Sequence, residues 1–164
     1  MHRLDITGSV ASDRINRIFG YWKDQCRARP MPAKRDIDPA ALKPLLPYLM
    51  ISEIHSAPLR VRYRLVGTEA VRMARSDYTG HWLHESGWAG DEIASYVQQY
   101  SLLLETRRPL LGTGHLIRGD GKEAVFEWGK FPLSDDGETV THCLGIEDVI
   151  PLRPTYTQRE TAAR

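Results

Sequence analysis

Cysteine is scarce in this chain. Cys26 and Cys143 are the two cysteines among 164 residues, far apart and matching neither a redox pair nor a zinc-ligand spacing. That excludes a disulfide framework as the basis of the fold and points to a reducing compartment, the cytoplasm. Long apolar runs are also missing. None approaches the roughly 20 residues that a membrane-crossing helix needs, and Met1-His2-Arg3-Leu4-Asp5 has no apolar signal-peptide core. No charge sign dominates: 22 Lys and Arg face 21 Asp and Glu, for a net charge of +1, so neither nucleic acid nor a membrane surface is an expected partner. Local charge is less even, since residues 12 to 35 hold seven Lys or Arg against two acids and residues 135 to 148 hold five acids without Lys or Arg. Two solvated surfaces account for this, and partner docking is the sharper alternative.

Catalytic signatures are absent as well. Ser86 precedes Gly87 but has His84 two places before it, so there is no G-x-S-x-G nucleophile elbow. Gly112-Thr113-Gly114-His115-Leu116 lacks the spacing of nucleotide-binding loops, although its glycines allow close backbone approach and His115 is a candidate polar group for a cavity wall. His81-Trp82-Leu83-His84-Glu85 places two histidines three apart without forming H-E-x-x-H or H-x-x-E-H, and reads as loop histidines beside Trp82 and Trp88. Glu123, Glu127, Asp135 and Asp136 read as surface and turn acids. No metal ligand and no catalytic residue is assigned. The one remaining enzyme reading, a small α+β enzyme with an acid in an apolar cavity, requires a buried carboxylate.

What the chain has is clear periodicity. Ile15, Ile18, Phe19, Trp22 and Cys26 form one apolar stripe from Ser12 onward, ended by Pro30 and Pro32. A stripe this aromatic must dock, either on the chain's own sheet or on a second copy. Asp38 before Pro39 predicts a short helix over 39–46. Residues 48–55 and 60–67 then read as a hairpin about Ser56-Ala57-Pro58. In the second of these strands Val61, Tyr63 and Leu65 alternate with Arg60, Arg62 and Arg64; after Gly67 the period lengthens, so that Ala70, Val71 and Met73 predict a helix capped by Thr68. Residues 75–90 are irregular. Asp91 then caps a helix reaching Arg107, with Ile93, Tyr96, Val97, Tyr100 and Leu104 as its stripe. Three strands, 110–118, 124–133 and 139–150, joined by turns at Gly119-Asp120-Gly121 and Asp135-Asp136-Gly137, complete an antiparallel meander.

This gives one antiparallel sheet, its strands split two and three around a helical insertion that folds back over the sheet. On strand 124–133, Ala124, Phe126, Trp128 and Lys130 share one face, and Phe126 with Trp128 offers a flat apolar wall for a ring or acyl ligand. Tyr63, Met73, Tyr96 and Tyr100 are further cavity candidates. Residues 1–11 and 151–164 read as flexible ends, 12–47 as an N-terminal helix with a proline-rich connector, and 48–150 as the main domain.

The strand and helix order, with Tyr21-Trp22, Met31-Pro32-Ala33, Asp36-Ile37-Asp38-Pro39, Leu45-Leu46-Pro47, Tyr63-Arg64-Leu65-Val66-Gly67-Thr68 and Thr79-Gly80, resembles the PAS domain family. It is most similar to short stand-alone bacterial PAS proteins carrying an N-terminal helix, over about residues 12 to 150. The resemblance implies an α+β fold: a five-stranded antiparallel sheet with helices covering one face, plus the N-terminal amphipathic helix. It implies sensing of a small molecule or contact with a protein, without catalysis. It does not carry flavin photochemistry, because neither cysteine stands in the Asn-Cys-Arg-Phe-Leu-Gln motif. Nor does it carry haem, because the helix from Asp91 to Arg107 has no histidine. The expected function is a stand-alone sensory or regulatory module; the alternative is a dimerisation module with a packed interior and no ligand. Ile15, Ile18, Phe19 and Trp22 are the expected contact with a homodimer or signalling partner.

Overall fold

A computed structural model describes residues 4–117 and 120–150 of the protein. The expected tail beyond residue 150 and part of the turn at Gly119 lie outside these described residues.

The apolar stripe near the N-terminus becomes α1, Asp13–Cys26. Ser12 caps it by accepting the Ile15 N–H at 3.2 Å, and Asp13 lies in the first turn, where a negative charge suits the helix dipole. The helix expected over 39–46 is a turn followed by a tight 3₁₀ segment, Lys43–Tyr48. Pro44 and Pro47 lack the N–H groups that an α-helical ladder requires, so this stretch closes i to i+3 bonds instead, such as Leu45 N–H to Leu42 O at 2.8 Å.

The hairpin follows as β2, Leu49–Ser56, and β3, Leu59–Val66, and the change of period at Gly67 gives α2, Thr68–Ala74. Gly67 is the cap and Thr68 the first helical residue. After the irregular segment comes α3, Gly90–Thr106, which starts one residue before Asp91 and has Ala89 as its cap. The meander is β4, Leu110–Ile117, β5, Glu123–Leu133, and β6, His142–Ile150.

All five expected strands are present in one antiparallel sheet. A sixth, β1 (Leu4–Ile6), joins its edge where the sequence reads as loose: Leu4 pairs with Gly114 and Ile6 with Gly112. Nothing periodic marks these three residues, and their order comes from the free edge of β4. In space the strands run β1-β4-β5-β6-β2-β3, so the two ends of the domain meet at β2 and β6.

The pleat of β5 divides the molecule. Phe126, Trp128 and Lys130 point to the side covered by α2 and α3, while Glu127, Gly129 and Phe131 point to the side covered by α1. Ile15, Ile18 and Trp22 are buried on that second side. Trp22 donates its indole N–H to Pro132 O at 2.8 Å, and Phe19 and Trp22 both pack on the Phe131 ring. The expected contact with a partner is therefore corrected: Ile15, Ile18, Trp22 and the half-buried Phe19 dock on this chain's own sheet. The reason is area. Burying three large apolar side chains contributes roughly 1.5–3 kcal/mol each, which the sheet satisfies within one chain. Gly129 makes room for the dock, since a Cβ there would lie 2.8 Å from the Phe131 ring and 3.1 Å from Ile15 Cγ2.

Candidate functional site

The side of the sheet under α3 is built from aromatic rings. Tyr63 of β3, Tyr78 and Trp88 of the irregular segment, and Tyr96 of α3 pack edge to face or tilted, with ring centroids 4.8 Å apart for Tyr63 and Tyr78, 5.0 Å for Tyr78 and Trp88, and 5.1 Å for Trp88 and Tyr96. Helical spacing puts Tyr96 and Tyr100 on one stripe of α3, one turn apart. The pleat of β5 presents Phe126, Trp128 and Lys130 beneath them. The Lys130 ammonium lies 5.1 Å from the ring centres of Tyr96 and Tyr100 and 5.2 Å from Trp128, within cation–π range.

Hydroxyls in this layer have partners. Tyr100 Oη and Ser52 Oγ are 3.1 Å apart, and Tyr78 Oη donates to Met50 Sδ at 3.1 Å. Burial raises the Tyr63, Tyr78, Tyr96 and Tyr100 hydroxyls above their ordinary range, and pushes the Cys143 thiol up to about 11. Burial also lowers Lys130 and raises Glu147. For Glu147 the nearby Glu92 adds to the rise, while the Lys130 charge and a hydrogen bond from Tyr96 oppose it. Gln99, fully inside on α3, has no hydrogen-bond partner for Nε2 or Oε1 among the described residues.

Between α2, α3 and the sheet lies a cavity of about 200 Å³, walled by Met73, Tyr78, Trp88, Tyr96, Phe126 and Glu147. It borders a shallow open groove of about 780 Å³ that shares Met73 and Glu147. In the groove two ion pairs are formed, Arg14 with Asp148 at 3.0 Å and Arg72 with Glu69. The cavity is the stronger candidate, because four aromatic rings line it and two acids, Glu92 and Glu147, stand on its wall.

Three of the seven residues expected to bind a ligand, Met73, Tyr96 and Phe126, wall this cavity. Tyr63, Tyr100 and Trp128 are buried in the ring layer beside it. His115 is exposed, and it stands opposite Val125, on the α1 side of the sheet, so its place in a cavity is corrected. The strand residues that face α3 are its neighbours Gly114 and Leu116. Tyr78, Trp88 and Glu147 complete the wall without being expected there from the sequence. Tyr78 and Trp88 lie in a segment with no period to read; Glu147 had a signal, because alternation from buried Cys143 puts residue 147 on the same face.

Glu127 also departs from its surface reading. Its oxygens accept the Ala11 N–H at 2.8 Å and the Ser12 N–H at 2.6 Å, just before α1. Asp148 accepts the Ser12 hydroxyl at 2.7 Å and pairs with Arg14, whose guanidinium also lies 4.3 Å from the Tyr48 ring centre. Two buried carboxylates thus clasp the helix N-terminus, where free N–H groups and the dipole favour negative charge. On β3, Arg60 and Arg62 stack on Trp82 with the guanidinium 4.0 and 5.7 Å from its ring centre. The N-terminal helix does not cover these arginines; it packs on β5 and β6.

No curated protein matches the chain. A family model described as PAS domain matches residues 10–147, which include α1, α2, α3, four complete strands and most of β6. With the matching sequence laid over an antiparallel sheet and its helical cover, the chain belongs to the PAS domain family.

Proposed function

We propose that this protein is a cytoplasmic sensory or regulatory module in which a small molecule seated under α3 alters how α1 is held on the opposite side of the sheet. PAS domains are sensory or interaction modules and are generally non-catalytic. Among the described residues no helix is long and apolar enough to cross a membrane. Glu147 supplies the buried acid that the enzyme reading required, but PAS domains are generally non-catalytic, which supports a holding role for it over a catalytic one.

The observation that carries the proposal is the alternation along two strands. On β5, Phe126 walls the cavity and Glu127 grips the backbone before α1; on β6, Glu147 walls the cavity and Asp148 grips Ser12 and Arg14. A shift of either strand on ligand entry is thereby a shift of the helix anchor. Differential affinity of the ligand for two such arrangements is all that signalling needs. Native mass spectrometry of freshly purified protein, followed by amide exchange at residues 12–28 before and after the retained molecule is stripped, tests this. A retained molecule with changed exchange supports it; a retained molecule with unchanged exchange overturns the coupling.

One observation favours the second reading, an interaction module with a packed interior. The cavity of about 200 Å³ is smaller than the ~300–1,000 Å³ common for ligand sites. Repeated absence of any retained molecule would select that reading.

A further inference from the structure

The lining of the cavity states what kind of molecule it fits, and this step rests on the ligand-holding reading above. Its rings are Tyr78, Trp88, Tyr96 and Phe126, and the acids on its wall are Glu147 and Glu92. Among the described residues two cationic side chains stand near these acids: Arg75, on the same wall but exposed and donating to Ile117 O at 3.3 Å, and Lys130, whose ammonium lies 5.1 Å from the Tyr96 ring centre. An anion entering would meet two carboxylates and the negative faces of aromatic rings. A cation would meet attraction from both. The chain already uses this chemistry next door, holding the Lys130 ammonium over Tyr96, Tyr100 and Trp128.

Lys130 favours the Glu147 carboxylate from a distance rather than by direct contact. No ion pair joins it to Glu147 among the described residues, and burial with the nearby Glu92 raises the Glu147 carboxyl above its ordinary range against the lowering by the Lys130 charge and a hydrogen bond from Tyr96. A carboxyl in that condition gains most from a second cation at close range.

Size sets the other bound. A cavity of about 150 Å³ takes benzene, so about 200 Å³ takes one ring or short chain of about eight non-hydrogen atoms. We propose that the cavity binds a small organic cation, an ammonium group on one ring or a short chain, with Glu147 as its counter-charge and the faces of Trp88 and Tyr96 against its body.

Three probes of matched shape test this on the full chain: benzylammonium, benzyl alcohol and benzoate, titrated by calorimetry at fixed ionic strength. The expected result is benzylammonium binding at least about tenfold more tightly than benzyl alcohol, with no heat from benzoate. Glu147→Gln should remove that preference while leaving benzyl alcohol binding in place. Equal or tighter binding of benzyl alcohol or benzoate overturns the cation and leaves the cavity standing. No binding by any of the three overturns the cavity reading as well. Retention of the tenfold preference in Glu147→Gln overturns the role of Glu147. Should that variant fail to fold, the three probes on the unaltered protein still decide the charge of the ligand, and Glu92→Gln reports on the second acid.

Discussion

Substituting Gly67 by alanine isolates the effect of room from the effect of backbone freedom. Gly67 has φ −69° and ψ 154°, a conformation open to any residue, so glycine is not required there for its backbone. It is required for space. A Cβ at this position would lie 2.3 Å from Pro47 O and 2.4 Å from Leu46 O, against ordinary C···O contacts of about 3.3–3.6 Å. Both neighbours are main-chain atoms of the 3₁₀ segment packed on α2, so no side chain can swing away, and one element must move by about 1 Å. Its own N–H also donates to Leu49 O at 2.7 Å, which ties the same point to β2. Overpacking of this kind costs about 3 kcal/mol or more. For a chain of this length that lowers Tm by about 6–12 °C. Gly20→Ala is the control: it lies within α1 with nothing inside 4 Å of the added Cβ, and should gain about 0.5–1 kcal/mol from helix propensity. Thermal melts followed by circular dichroism compare the three proteins. A Gly67→Ala melt within about 2 °C of the parent, less than one kcal/mol by the same scaling, would show that the 3₁₀ segment yields freely and that the packing argument fails.

Asp36 accepts a hydrogen bond from Arg29 and another from the Ala33 N–H, and these hold its carboxyl below the ordinary 3.8. Its contribution is present above 3.8 and lost as pH falls through the lowered value, so Asp36→Asn should be less stable than the parent at neutral pH, with the two melts converging in acid. Gln99→Met removes two buried polar atoms that lack partners at nearly constant volume; a gain of about 1 kcal/mol or more is expected as a higher urea midpoint at unchanged m, and a lower midpoint would mean that Gln99 is satisfied in solution. Glu127→Gln replaces one of two acceptor oxygens with a donor facing an N–H group. The expected loss is about 1–3 kcal/mol with faster amide exchange at residues 11 and 12, and unchanged exchange there would remove the clasp.

The strands, α1 and α3 are legible in the sequence because each follows a single period over many residues: Ile15, Ile18 and Trp22 at helical spacing, and Phe126 against Glu127 at the strand period of two. The choice of dock for α1 is not legible, because an apolar stripe carries no address; Pro132 O and the Phe131 ring, which receive Trp22, are more than 100 residues away in the chain. β1 is invisible for the opposite reason, since three residues without alternation become a strand through the unpaired edge of β4. The cavity is half legible. Phe126 and Tyr96 announce themselves by period, whereas Tyr78 and Trp88 reach it from a connection that has none, and His115 is misplaced because its flanking glycines suggest proximity without fixing which face the side chain takes.

The alternation on β5 and β6 sorts residues by parity. Positions 126 and 128 on β5 and 147 on β6 belong to the ring layer and cavity, and positions 127 and 148 belong to the helix anchor. Each set can therefore be rewritten without touching the other: under the proposed function a changed taste for ligand needs only the first, and a changed hold on the helix only the second. An insertion or deletion of one residue in either strand would do neither, because beyond that point it would turn that strand's cavity side chains toward the helix and its anchors toward the cavity. A PAS family built on this sheet is free to diversify by substitution and closed to diversification by slippage.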